Sequence, residues 1–160
     1  MKSQIHKLLL TAAAAAVLLF ASLHANAGSM DPHCTDVGGA ILTDLGGFGP
    51  NTTLGVATGD LRGAIGVEIL GVNSTGTVFT VQHHWVTDNG ESLQIDRAAA
   101  SGTYVAPGLF AFTDYKAHIS GGTGRFAGTS GDFSVIGELD LNTGHAVLRY
   151  SGHVCFAPAN

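Results

Sequence analysis

The chain has 160 residues, too few for two ordinary domains. Only 12% are charged and 45% are apolar, against an average charged share near ~25%, which excludes a charge-driven disordered tail and a coiled coil. The net charge of −5 repels phosphate backbones, so nucleic acid is not an expected partner.

Glycine stands out, with 23 residues, about twice its usual share of roughly 7%. No G-X-Y period accompanies it, so the chain is not collagen-like. Glycine interspersed with Val, Ile, Thr and Phe predicts many short strands and turns.

The N-terminus has the three-part pattern of a secretory signal. Lys2 and Lys7 form a positive region, Leu8–Leu23 is almost without polarity, and Ala25-Asn26-Ala27 is an A-x-A cleavage site. The apolar run is shorter than the ~20 residues of a spanning helix. Residues 1–27 are therefore expected to be a signal peptide and residues 28–160 a single domain, secreted or periplasmic. No later segment is long enough to span a membrane. Asp31-Pro32-His33 before Cys34 does not fit a lipoprotein acceptor site.

Cys34 and Cys155 lie near opposite ends of the mature chain. In an oxidising compartment the default expectation is a disulfide between them. Closing a loop of ~120 residues is worth roughly 4–5 kcal/mol in the chain-entropy account.

Residues 28–50 are Gly-rich and weakly patterned. Strand-length runs then follow: Thr53–Thr58, Arg62–Val72, Gly76–Thr87, Ser92–Ala99, Thr103–Val105, Leu109–Ser120, Gly131–Asp140 and His145–Phe156. Between several of them lie turn sequences such as Asp88-Asn89-Gly90 and Asn142-Thr143-Gly144, whose Asn and Gly tolerate the positive φ of tight hairpins. No 3.6-residue apolar period is sustained. The pattern predicts an all-β antiparallel sheet that closes or folds over to hide its edges.

Alternation assigns faces. Phe79, Val81, His83 and Trp85 share one face, as do Ile65, Val67 and Ile69. Phe133, Val135 and Leu139 form a third apolar row, and Ala146, Leu148, Tyr150 and Val154 a fourth.

The string Gly121-Gly122-Thr123-Gly124-Arg125-Phe126-Ala127-Gly128 between two late strands resembles the allene oxide cyclase and dirigent barrel superfamily, in particular its small secreted bacterial members. The resemblance covers about Thr103 to Cys155. It implies an eight-stranded antiparallel barrel (calycin-like), either trimeric or monomeric. It also implies a small apolar molecule in the lumen, fatty-acid-derived or phenolic, with cofactor-free cyclisation or isomerisation where chemistry occurs. The glycines of the string are expected to shape the fold, with Phe126 plugging the barrel wall or end.

Candidate site residues follow from face and chemistry. His83 beside Trp85 on an inward face suits a general base or a hydrogen-bonding group. Arg97 shares parity with Leu93 and Ile95, and an inward Arg suits a carboxylate. Phe79, Tyr104 and Tyr115, with Phe110 and Phe112, suit a pocket lining. His84 and Glu68 are expected on the surface.

No nucleophile elbow is present, and no metal-ligand spacing links the cysteines and histidines. No metal or cofactor is expected, and the residues leave open whether the protein is an enzyme. Two alternatives stand beside the ligand-binding barrel. One is a structural or interaction barrel of the cell envelope with a side-chain-filled lumen. The other is a carbohydrate-binding β-sandwich.

Overall fold

Alternating apolar residues, short glycine-bearing connections and the absence of a helical period have their structural outcome in a sheet that curls until its edges meet. The computed structural model describes residues 33–158, so the expected signal peptide lies outside the described residues. The strands are β1 (His33–Leu45), β2 (Thr52–Ala57), β3 (Gly63–Val72), β4 (Val78–Thr87), β5 (Ser92–Ile95), β6 (Ala98–Ala106), β7 (Leu109–Gly122), β8 (Ser130–Asp140) and β9 (His145–Phe156). A single 3₁₀ turn, Gly124–Phe126, is the one helical element among the described residues.

Every strand pairing is antiparallel. The order runs β3-β2-β1-β9-β8-β7, then β5 and β6 in tandem, then β4, which pairs back onto β3. This is a closed eight-stranded barrel with no free sheet edge among the described residues. A single sheet closed on itself overturns the β-sandwich alternative.

The count of eight is reached by a different route from the sequence runs. The segment expected to be weakly patterned contains β1, which pairs with β9 along almost its whole length. The runs Ser92–Ala99 and Thr103–Val105 are not two barrel strands. They are re-cut as β5 and β6, which fill one place in the wall and are separated at Asp96-Arg97.

The four apolar rows expected from alternation all point inward, with Ile65, Val81, Trp85, Phe133, Val135, Leu139, Ala146, Leu148, Tyr150 and Val154 buried. The outer face also carries an apolar row. The register places Val147, Leu42, Val56, Ala64 and Val86 side by side across β9, β1, β2, β3 and β4, all exposed.

One end of the barrel is solidly packed. Trp85, Phe133 and Tyr150 meet edge to face, with ring centroids 5.4–6.0 Å apart, a favoured aromatic geometry. The β2–β3 loop is latched beneath them. The Tyr150 hydroxyl donates to Thr58 O at 2.8 Å and accepts from Leu61 N at 2.9 Å. The Trp85 Nε1–H donates to Leu61 O at 2.8 Å. The loop comes this close because Gly39 has no side chain, since a Cβ there would sit 1.9 Å from Thr58 O. Gly59, at φ +85°, turns the loop against the Gly38 carbonyl.

The glycine-rich string closes the same end, as expected. Phe126 is fully buried, packing on Phe156 with ring centroids 5.9 Å apart. Glu91 holds the turn by accepting from Arg125 N at 2.8 Å. Cys34 and Cys155 stand opposite each other in the β1–β9 register and form the expected disulfide across a sequence separation of 121. A disulfide fits an oxidising compartment.

Candidate functional site

The interior of the barrel is unevenly filled. Below Trp85 it is packed. Above it lies a cavity of about 60 Å³ whose lining includes Ile65, Val67, Phe79, Val81, His83 and Tyr115. Trp85, which is 1% exposed, and Phe133 form its floor. Toward the opposite end the lining grows more accessible, with Val67, Ile69, Phe79 and Phe112 only partly buried. Phe79, Phe110 and Phe112 cluster at this rim with centroids 5.1–6.4 Å apart.

Four of the six side chains expected to line a pocket do line this cavity: Phe79, His83, Trp85 and Tyr115. Arg97 and Tyr104 do not. Arg97 is exposed because the β5–β6 break shifts the alternation by one residue. Leu93 and Ile95 face in before it, and Ala98 and Ala100 after it. Tyr104 is 48% exposed and packs on the outer side of the rim cluster, against Phe110 at 5.2 Å. His84 and Glu68 are exposed, as expected.

Tyr115 reaches the lumen through a second irregularity. Phe112 pairs with Gly137 and Lys116 with Ser134, so β7 carries one more residue than β8 between these points, the signature of a bulge. Phe110 is buried before it, and Tyr115, Ala117 and Ile119 after it. Without the bulge, Asp114 and Lys116 would continue the inward series of Phe110 and Phe112.

His83 Nε2 and the Tyr115 hydroxyl are 2.5 Å apart, and their rings stack at 5.7 Å. Both residues are buried. Burial, helped by the neighbouring His84, lowers His83 from its ordinary 6.5 to about 4. Burial likewise pushes the Tyr115 phenol up. The pair is neutral at pH 7. A base about three units below ambient pH withdraws protons poorly, so the dyad is suited to hydrogen bonding rather than to proton abstraction.

Three buried polar atoms of residues that line the cavity have no hydrogen-bond partner among the described residues: Thr43 Oγ1, Thr53 Oγ1 and His83 Nδ1. Most buried polar atoms in folded proteins are paired, so three in one small space set it apart from ordinary core. The two threonines were missed in the sequence. Thr43 lies in the segment without an evident pattern, although Val37, Gly39, Ile41 and Thr43 do keep a period of two. Thr53 stands at the edge of a run whose other inward positions are Gly55 and Ala57.

Among the described residues the lining contains no Lys, Arg, Asp or Glu. Among the described residues no group of three or more His, Cys, Asp or Glu is placed to hold a metal ion. No helix there is long and apolar enough to cross a membrane.

No family profile matches the chain, and no curated protein does. Among solved structures, two pterocarpan synthase dirigent proteins are similar to it. One is 16% identical with a TM-score of 0.36, over 82% of this chain and 90% of the other. The second is 14% identical with a TM-score of 0.37, over 81% of this chain and 99% of the other. These superpositions are loose, and the barrel architecture rests on the strand pairing within the chain itself.

Proposed function

We propose that this protein is a secreted barrel that binds a small, largely apolar molecule in the upper half of its lumen. The observation that carries the reading is an apolar cavity above a closed aromatic floor, lined by residues that carry three orphaned polar atoms. A lumen built only to be filled has no use for unpaired hydroxyls, which cost stability.

The volume bounds the occupant. About 60 Å³ is far below the ~300–1,000 Å³ of pockets for drug-sized ligands. A compact body such as a phenolic ring, reaching up between Phe79 and Phe112, fits this reading better than a long acyl chain. Binding is the core of the proposal. Any accompanying cyclisation or isomerisation would rely on orientation by the lumen walls, because His83 is a poor base here.

The small volume also favours a second reading, a structural or interaction barrel whose lumen is essentially full. Native mass spectrometry of the protein recovered from an oxidising compartment separates the two. The binding reading expects a co-purifying small molecule that is lost in Ala100→Val, which narrows the cavity, and kept in Arg97→Ala, which does not touch it. A protein that is empty, and stays empty after exposure to phenolics and fatty acids, supports the structural barrel instead.

A further inference from the structure

We propose that the lumen selects uncharged ligands carrying a hydroxyl or carbonyl oxygen, held by His83 Nδ1 or by the hydroxyls of Thr43 and Thr53, and rejects carboxylates. This rests on the lumen-binding reading and narrows it to a chemical class.

The register shows how the polar positions are laid out. Thr53 pairs with Val67, and Val67 with His83, so one inward row runs Thr53, Val67, His83 across β2, β3 and β4. The two ends of that row are about 10 Å apart at the usual strand spacing. Thr43 lies on β1, beside β2, opposite Gly55. The polar atoms therefore flank the apolar Val67 instead of forming one cluster. A ligand with one oxygen is served at either end, and one with two oxygens across a short apolar body is served at both.

The exclusion of anions follows from what the lining lacks. Arg97, the cation that alternation placed inside, is on the surface, and no other cationic side chain among the described residues lines the cavity. His83 is neutral at pH 7 because burial disfavours its charged form. A carboxylate would leave water with no opposite charge to meet it, a cost that neutral hydrogen-bond donors do not offset. A neutral oxygen meets partners that otherwise remain unpaired, so its desolvation is repaid.

The test uses three probes of one shape: benzyl alcohol, toluene and benzoate. Trp85 is the one tryptophan of the chain and lies in the cavity floor, so its emission reports occupancy, with titration calorimetry alongside. Benzyl alcohol and toluene are expected to bind, with benzoate at least about tenfold weaker than benzyl alcohol. In His83→Phe and in the doubly substituted Thr43→Val/Thr53→Val, benzyl alcohol should weaken relative to toluene by about tenfold in at least one, the size of a lost hydrogen bond. The threonine variant preserves side-chain shape and keeps the test available if His83→Phe fails to fold.

Benzoate binding within threefold of benzyl alcohol overturns the selectivity while lumen binding stands. So does an equal effect of both variants on alcohol and toluene. If none of the three probes changes Trp85 emission or gives heat, the lumen-binding reading falls and the selectivity with it.

Discussion

His83 is a residue whose burial has a measurable pH signature. Its folded value near 4 lies below the ordinary 6.5. Above pH 6.5 the imidazole is neutral in both states and its full contribution is present. As pH falls from 6.5 to 4, the unfolded chain takes up a proton that the folded chain refuses, and stability falls by about 3 kcal/mol. Urea unfolding of the wild type is expected to lose that stability across the window, and His83→Phe to lose correspondingly less. A pH profile shared by both proteins would show that His83 is not held neutral. Thr43 makes the opposite kind of prediction. Its hydroxyl is buried without a partner, so Thr43→Val should stabilise the empty protein by about 1 kcal/mol, read as a raised denaturant midpoint. These two residues differed in legibility. The inward face of His83 followed from its alternation with Val81 and Trp85. Thr43 did not stand out because a polar residue faces in while its apolar neighbour Leu42, 48% exposed, faces out.

Elements are shaped by the places where regularity fails. The β5–β6 break turns Arg97 outward, and the β7 bulge turns Tyr115 inward. The break lies between β5 and β6, both of which pair with the bulged β7, and both irregularities flank the surroundings of His83. Gln82 helps to tie down the break, its Nε2 donating to Ile95 O at 2.8 Å. The β2–β3 loop depends on the bare backbone at Gly39. A methyl group there would meet Thr58 O at 1.9 Å and the Tyr150 ring at 2.8 Å, so Gly39→Ala should destabilise by about 2 kcal/mol through overpacking. Gly71→Ala is the matched control, because nothing lies within 4 Å of its added Cβ. Denaturant unfolding of the two variants checks this, and equal effects would mean that the loop is not latched as described. Alternation in the sequence places faces correctly until a bulge intervenes. A bulge inserts one residue and inverts every position beyond it, and no local residue pattern announced either of these.

For the whole molecule, the ring of strands is closed by hydrogen bonds and the chain is closed by Cys34–Cys155. The disulfide joins β1 to β9, the first and last strands, within an existing antiparallel register. Its main effect should therefore be on the unfolded chain, whose loop entropy it removes. Reduction, or Cys34→Ser with Cys155→Ser, is expected to lower unfolding free energy by about 4 kcal/mol and to leave the far-ultraviolet circular dichroism of the folded barrel unchanged. A loss of β-signal on reduction under native conditions would show instead that the fold depends on the bond.

The sequence by itself determined the all-β class, the antiparallel hairpins, the cysteine pairing and most inward faces. These depend on local turn chemistry, on a period of two and on the chain having two cysteines. Tertiary structure alone decided that residues 33–45 form a strand, since Gly38, Gly39 and the exposed Leu42 blur its alternation until β9 supplies its partner. Beyond the expected Phe79, His83, Trp85 and Tyr115, it also decided the content of the lumen: Arg97 out, and Thr43 and Thr53 unpaired above an aromatic floor. Those positions depend on register across the ring, and register is fixed only when distant strands meet.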